Sequence, residues 1–238
     1  MALKDELEAR VYGYASSVWP AVPQGRVVPE PDSPNLTQGN TGVRLDATVL
    51  YADIDGSTSM VDKLSATRAA EYYKAYLECA AKILKSNSGV ITAYDGDRVM
   101  AIFMGDAQVA DAVKSALQLN WAVAHIINPI FEGVYQANHL TLRHTVGIDS
   151  SEILAAKIGV RVDNDVVWVG PAANYAAKLN SFDGLDPIYQ IRITEQALGL
   201  LGLTTFTRTS TGQSIWEGPY SNLQRGKHYR TDCTMPIA

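Results

Sequence analysis

The chain has 238 residues, a formal net charge of −5, and a composition of 47% hydrophobic and 19% charged residues. These values are typical of one globular domain with extensions, and they exclude the clustered positive charge that a nucleic-acid-binding surface requires. No apolar run approaches the ~20 residues that span a bilayer, and the N-terminus lacks the apolar segment of a signal peptide. We therefore expect a cytoplasmic protein that binds neither nucleic acid nor membrane. Its two distant cysteines, Cys79 and Cys233, fit a reducing compartment.

The N-terminal segment, residues 1–44, is predicted to form a short helix followed by an irregular arm. Leu3, Leu7 and Val11 recur on one side of residues 3–18, which favours a helix. Residues 20–43 are rich in proline, glycine and polar side chains, which favour turns over regular structure. A main domain is expected over residues 45–204, followed by a C-terminal extension over residues 205–238.

The main domain alternates between strand-like and helix-like patterns. Apolar runs predict strands over residues 47–53, 90–94, 98–104, 140–148, 153–158, 166–169 and 188–194, with 140–148 and 153–158 forming an antiparallel pair around residues 149–152. Helical periodicity predicts helices over residues 66–85, 107–127, 172–182 and 195–201, the second of them ended by Pro129, and a last hairpin is expected in the C-terminal extension. This mixture predicts an α+β fold with a mostly antiparallel sheet and helices on one face.

Two acidic loops stand at the ends of predicted strands. Asp53 follows the first buried strand, and Asp97 follows the tight Asp95-Gly96 turn between two others. Two carboxylates held together at the rim of a sheet repel each other unless a cation lies between them. Mg²⁺ prefers carboxylate oxygens and shares them with substrate phosphates, so the loops indicate metal-assisted chemistry on a nucleotide.

Two further segments carry groups suited to a triphosphate. Gly56 permits a sharp turn, after which the backbone N–H groups of Ser57 and Thr58 are placed to hold phosphate oxygens. Asn174 and Lys178 are four residues apart and therefore share one face of a helix, where an amide and a cation can grip the same ligand. Each segment alone is equally typical of a helix cap or of an exposed polar surface.

Together, the segments at residues 49–58, 95–103, 146–148 and 170–178 resemble, in order and spacing, the catalytic domain of the class III nucleotidyl cyclases. The resemblance implies a ferredoxin-like palm that works as a head-to-tail homodimer, with two active sites formed at the interface. It also implies two divalent cations, Mg²⁺ or Mn²⁺, and a nucleoside triphosphate substrate. By position, Asp53 and Asp97 resemble the metal carboxylates, and the Ile54 carbonyl supplies a further metal oxygen.

The resemblance also assigns roles to the phosphate and ribose contacts. Gly56, Ser57 and Thr58 correspond to the turn that holds the phosphates, and Asn174 corresponds to the asparagine that orients the ribose. Lys178 stands where the family usually has an arginine that stabilises the transition state. Lysine keeps the charge but loses the bidentate fork of arginine.

The residues expected around the base depart from those of purine cyclases. Ala93 and Val167 occupy positions where such enzymes place a lysine and an aspartate or threonine, and Asp165 lies two residues before Val167. The neighbouring side chains are bulky or cationic, namely Tyr94, Arg98 and Trp168. Large side chains favour a single-ring base, and an arginine donor can meet a uracil carbonyl.

The sequence is most similar to the pyrimidine cyclases of the Pycsar anti-phage defence system, which implies UTP as substrate, 3′,5′-cyclic UMP as product and a separate effector that the product activates. Adenylate or cytidylate cyclase activity remains an alternative. A nucleotide-binding regulatory pseudocyclase is an alternative of another class, although both metal carboxylates are present. A diguanylate-synthesising palm is disfavoured because its Gly-Gly-Asp-Glu-Phe tract is absent.

Overall fold

A computed structural model describes residues 2–181, 186–201, 206–208, 210–222 and 226–237. Its helices are α1 (Leu3–Ser16), α2 (Ser57–Lys63), α3 (Ala66–Ser86), α4 (Gln108–Ala122), α5 (Asn128–Tyr135), α6 (Pro171–Ser181) and α7 (Glu195–Leu201). Its strands are β1 (Val43–Ile54), β2 (Val90–Asp95), β3 (Arg98–Phe103), β4 (His144–Gly159), β5 (Asn164–Val169), β6 (Ile191–Thr194), β7 (Glu217–Tyr220) and β8 (His228–Thr231).

The strands form one sheet in the order β2-β3-β1-β4-β6-β8-β7, with β5 paired to β4 beside this path. Only the β4–β6 pair is parallel among the described pairs, so the predicted mostly antiparallel α+β sheet is confirmed. β1 lies between β3 and β4, so the C-terminal end of β1 is flanked by a strand on each side. The first acidic loop begins at this end of β1.

Helices cover both faces of the sheet, so the prediction of helices on one face alone is wrong. Alternate residues of β1, such as Leu50 and Ala52, pack with α3 and α4 in one core cluster. The intervening residues, such as Val49, pack with α6 in a second cluster. A Cβ at Gly147 would lie 2.1 Å from the Ala176 carbonyl oxygen, so glycine at this position lets α6 lie directly on β4.

Residues 144–159 form one continuous strand, β4, where the sequence predicted an antiparallel pair around residues 149–152. Two of the polar residues that indicated a turn, Asp149 and Ser150, are instead buried and paired across the sheet. Asp149 accepts a hydrogen bond from the Thr194 hydroxyl, and Thr48 Oγ1 donates to Ser150 Oγ at 3.2 Å. Burial of a polar side chain is tolerated when such a partner is present, which sequence periodicity does not reveal.

The helix predicted over residues 107–127 does not end at Pro129. A π-helical turn, Val123–Ile127, joins α4 to α5, and Pro129 lies in the first turn of α5. Proline is compatible with a helix where its missing N–H has no obligatory acceptor. The Asn128 side chain fixes this junction because it bonds both the N–H and the carbonyl of Leu142, at 2.8 and 3.0 Å.

α1 forms the predicted N-terminal helix, whereas the predicted boundary between residues 44 and 45 falls within β1. α1 has no buried residue, and residues 17–42 contain no helix or strand beyond a bridge between Gln24 and Arg44.

The last hairpin is present as β7 and β8. α2 was not predicted, and the predicted domain boundary between residues 204 and 205 lies outside the described residues, as does the predicted end of α6 at residue 182. No helix among the described residues has the length and apolar character needed to cross a bilayer.

Candidate active site

The two acidic side chains that the sequence predicts as partners lie beside each other. Asp53 is the penultimate residue of β1, and Asp97 belongs to the tight turn between β2 and β3. The pairing of β1 with β3 brings these two ends together. The carboxyl groups are close enough to share a hydrogen bond when one of them is protonated.

The surroundings of Asp53 and Asp97 disfavour the state in which both carboxyl groups are ionised. Burial, followed by the hydrogen bond and charge of Asp97, raises the pKa of Asp53 to about 6, while Arg98 acts in the opposite direction. The Oδ2 atom of Asp97 is buried and has no hydrogen-bond partner among the described residues. A buried carboxylate oxygen without a partner is unfavourable, and a cation would satisfy it.

The donor set fits a hard divalent cation. Asp53 and Asp97 provide carboxylate oxygens, and the backbone carbonyl of Ile54 lies at the end of the same strand. The described residues contain no group of three or more histidine, cysteine, aspartate or glutamate side chains able to hold a metal. Mg²⁺ is usually held by only one or two carboxylates together with water and substrate phosphates, so two carboxylates suffice. The role of these residues as metal ligands stays a prediction.

Arg98 forms an ion pair with Asp53 that the sequence did not predict. The β1–β3 register pairs Ala52 with Val99, and extending it by one residue sets Arg98 opposite Asp53 on the same face of the sheet. Arg98 Nε and Nη2 donate to Asp53 Oδ2 at 3.1 and 3.0 Å. The predicted base-contacting arginine is therefore engaged with a predicted metal carboxylate.

The predicted phosphate turn lies directly after Asp53. Gly56 has a φ of +75°, a conformation that side-chain-bearing residues rarely adopt, and it precedes the first turn of α2. The Ser57 side chain, in that turn, is hydrogen-bonded to Tyr73, a residue of α3 that the sequence analysis missed. Burial, and then the charge of Asp97, raises the pKa of Tyr73, which places its hydroxyl within the electrostatic field of the acidic pair.

Three buried polar side chains, Tyr76, His144 and Asn120, lie in a row next to the backbone of Asp53. Tyr76 Oη lies 3.4 Å from the Asp53 carbonyl oxygen and 3.4 Å from His144 Nδ1. His144 Nε2 lies 3.2 Å from Asn120 Oδ1, so a neutral imidazole that donates from Nε2 accepts the Tyr76 hydroxyl proton at Nδ1, and that single proton is then not shared with the Asp53 carbonyl. Burial lowers the pKa of His144 to about 3, which favours this neutral form. His144 was not among the predicted site residues, because no spacing in the sequence marks a histidine that faces a core tyrosine.

The predicted ribose and transition-state residues lie on a different element and do not join the acidic pair. Asn174 and Lys178 are both exposed on the outer side of α6. The described polar contact of Lys178 is with the Tyr175 ring, at 5.5 Å from the ring centre. Among the described residues, no hydrogen bond or ion pair connects either side chain to Asp53 or Asp97.

The predicted base-contacting residues are also divided. Trp168 and Ala93 pack on the α6 face of the sheet, and Tyr94 is exposed at the end of β2. Val167 points to the face opposite Trp168 because successive residues of a strand alternate. Val167 and Trp168 therefore lie on opposite faces of β5, and their role at the base stays a prediction.

The predicted metal ligand Asp53 and the predicted base-contacting residues of β5 lie far apart along β4. Asp53 pairs with Thr145, near the start of β4, whereas Val167 pairs with Ala156. These positions are eleven residues apart along β4, which is about 36 Å of extended strand. One chain therefore presents the metal residues and the β5 residues at separate places, and each group is only part of the predicted site.

Comparison with known proteins gives a consistent family. The sequence model of the adenylate and guanylate cyclase catalytic domain matches residues 44–229. A uridylate cyclase from Xanthomonas perforans is 46% identical over 217 residues, which cover 91% of this chain and 90% of the relative. A uridylate cyclase from Burkholderia cepacia is 45% identical over 184 residues, covering 77% and 80%. The solved guanylyl cyclase Cya2 superposes with a TM-score of 0.66 at 18% identity, covering 82% of this chain and 95% of that one, which shows a shared fold.

Proposed function

Because this chain belongs to the adenylate and guanylate cyclase catalytic domain family, we propose that it is a nucleotidyl cyclase that converts UTP to 3′,5′-cyclic UMP and pyrophosphate. The observation that carries the proposal is the contact between Asp53 and Asp97, with a buried Asp97 oxygen that lacks a partner. The choice of UTP is supported by the two uridylate cyclases that are 46% and 45% identical to this chain over most of both lengths.

The reaction joins the ribose 3′-oxygen to the α-phosphorus of the same nucleotide. The 3′-hydroxyl loses its proton, the 3′-oxygen attacks in line, and the bond from the α-phosphorus to the bridging oxygen breaks to release pyrophosphate. Asp53, Asp97 and the Ile54 carbonyl would hold two divalent cations, Mg²⁺ or Mn²⁺. When bound, these cations would lower the pKa of the 3′-hydroxyl and offset the charge of the triphosphate.

The remaining roles belong to side chains and backbone groups of the protein. The backbone N–H groups at Gly56, Ser57 and Thr58 would hold phosphate oxygens, and Asn174 would orient the ribose so that the 3′-oxygen faces the phosphorus. Lys178 would offset the negative charge that develops on the phosphate oxygens in the transition state. No covalent intermediate with the enzyme is needed.

Asn174 and Lys178 are exposed and, among the described residues, make no hydrogen bond or ion pair with the acidic pair of their own chain, which supports a site shared between two copies. A head-to-tail homodimer would bring Asn174 and Lys178 of one copy to the acidic pair of the other. A mixture of Asp97→Asn and Lys178→Ala proteins tests this arrangement, because a mixed dimer would contain one intact site. Random mixing should restore about one quarter of the wild-type rate, since half of the dimers are mixed and each has one of its two sites intact. No restoration after verified subunit exchange would contradict a shared site.

The substrate is tested by incubating the purified protein with each of the four ribonucleoside triphosphates and Mn²⁺, and identifying the products by mass spectrometry. Cyclic UMP should predominate in the wild type and disappear in Asp97→Asn. Asp95→Asn is the matched control, because Asp95 is an exposed carboxylate on the same turn. Predominant cyclic AMP or cyclic CMP would refute the choice of base, and the absence of any cyclic product would favour a regulatory pseudocyclase.

We extend the proposal to anti-phage defence, in which cyclic UMP acts as a second messenger for a separate effector. The support is the similarity to the pyrimidine cyclases of the Pycsar system. Cells that carry the wild-type protein with its effector should accumulate cyclic UMP on infection and resist the phage, and cells with the Asp97→Asn variant should do neither. Equal resistance with both proteins would contradict a role for the product.

A further inference from the structure

The guanidinium of Arg98 occupies the carboxylate oxygen that a cation would need. Arg98 Nε and Nη2 both donate to the same atom, Asp53 Oδ2, at 3.1 and 3.0 Å. The Asp53 side chain is 18% exposed and the Arg98 side chain 31% exposed, so this pair is partly shielded from water. A carboxylate oxygen has about two lone-pair sites, and two N–H donors engage both of them.

We propose that Arg98 is a resident counter-ion, which a divalent cation has to displace from Asp53, and that the released guanidinium then binds the nucleotide. This inference rests on the proposed function for the identity of the cation and the nucleotide. Two N–H bonds fill the lone-pair sites of Oδ2, so this atom cannot coordinate a cation while it holds Arg98. A cation bound to the other oxygen would lie close to the guanidinium, where like charges repel.

The displacement couples the two ligands of the site. A cation that arrives alone has to break a charge-assisted fork, and Arg98 is left without its partner. A bound nucleotide gives the guanidinium new acceptors, on the phosphates or on the base, so the cation then binds more tightly. By linkage, the cation increases the affinity for the nucleotide by the same factor. The protein without nucleotide is therefore a weak metal binder.

The test is the affinity for Mn²⁺ in the absence of nucleotide, measured from the free-ion signal in electron paramagnetic resonance. Arg98→Met removes the charge and keeps an unbranched apolar stem. It should bind Mn²⁺ about threefold to tenfold more tightly than the wild type, as expected for the loss of a partly shielded ion pair. Arg143→Met is the matched control, because Arg143 pairs with Asp55 at 2.8 Å, two residues from Asp53. It should change the affinity by less than about 1.5-fold, since a general change of charge acts weakly at an exposed pair.

Three results would overturn the proposal. They are an unchanged or weaker affinity in Arg98→Met, an equal gain in both variants, and Mn²⁺ binding by the wild type that does not depend on Asp53. A measurement on the unmodified chain does not rely on the variants folding. The Nε–Hε signal of Arg98 in nuclear magnetic resonance should shift when diamagnetic Mg²⁺ saturates the wild type, and an unmoved signal would equally overturn the proposal.

The outcome is separable from that of the proposed function. Cyclic UMP formed by a wild type in which Arg98 and Mn²⁺ do not compete would refute only the counter-ion role. Competition for Asp53 in a protein that forms no cyclic nucleotide would refute only the catalytic assignment.

Discussion

In mild acid the free energy of unfolding of the wild-type protein should fall, and in His144→Gln it should fall much less. The His144 ring is buried between Tyr76 and Asn120, and burial lowers its pKa to about 3. Protonation in the folded state would place a charge on an enclosed ring, and burial opposes this. The glutamine amide has an NH2 donor group and a carbonyl acceptor, so it can contact both neighbours without gaining a charge.

The sign follows from the proton uptake of the two states. The unfolded chain binds a proton at His144 below its ordinary pKa of about 6.5, whereas the folded chain does so only near 3. The contribution of His144 to the free energy of unfolding is therefore fully present above about pH 6.5 and is lost as the pH falls toward 3. At about pH 5 the loss is about 2 kcal/mol.

Urea unfolding at about pH 7.5 and about pH 5, at one protein concentration, measures this contribution. The free energy of unfolding should fall by about 2 kcal/mol more in the wild type than in His144→Gln. Other groups, including His228 with its pKa lowered to about 4, cancel in the difference between the two proteins. Equal losses in both proteins would show that His144 is protonated in the folded state or accessible to water, which would refute the assignment of a neutral, enclosed imidazole.

Three other changes test the packing, the transition-state cation and the metal. Gly147→Ala should destabilise the fold by about 1–3 kcal/mol in thermal unfolding, because the new Cβ meets the Ala176 carbonyl. An unchanged melting temperature would contradict the close contact of α6 with β4. Lys178→Ala should lower kcat by about 10²-fold with an unchanged melting temperature. The control Lys85→Ala changes an exposed lysine near the end of α3 and should retain activity. Similar rates in the two variants would exclude a catalytic cation at Lys178. Chelation with EDTA should stop cyclic UMP formation and added Mg²⁺ or Mn²⁺ should restore it, so product formation at full rate in excess chelator would refute metal-dependent chemistry.

Local signals predicted the part of the site that lies on one hairpin and one strand end. Asp53 follows an apolar run, and Asp97 follows a two-residue turn, so short-range rules set both positions. Their proximity required only that β1 pair with β3. The same reasoning placed α6 and its exposed Asn174 and Lys178, because the periodicity of that helix is regular.

Features that depend on partners distant in sequence were not predicted. Arg98 was interpreted as a base contact, and its bond to Asp53 depends on a strand register that no local pattern specifies. The Tyr76–His144 contact joins residues 68 positions apart. Asp149 resembled a turn residue until its buried partner, Thr194, was known. In each case tertiary contacts overrode the local preference of a polar residue.

The continuous strand β4 constrains how this sequence can change. Thr145 near its beginning and Ile153 beyond its middle belong to one uninterrupted ladder with β1. Inserting a single residue between them would turn every later side chain to the opposite side, moving Ile153 out of its cluster and exposing it. Inserted or deleted residues are tolerable only in pairs, and each pair would lengthen or shorten the reach of the strand by about 7 Å. Homologous chains should therefore differ in this strand by substitution and keep its residue count, while the N-terminal arm is free to vary in length.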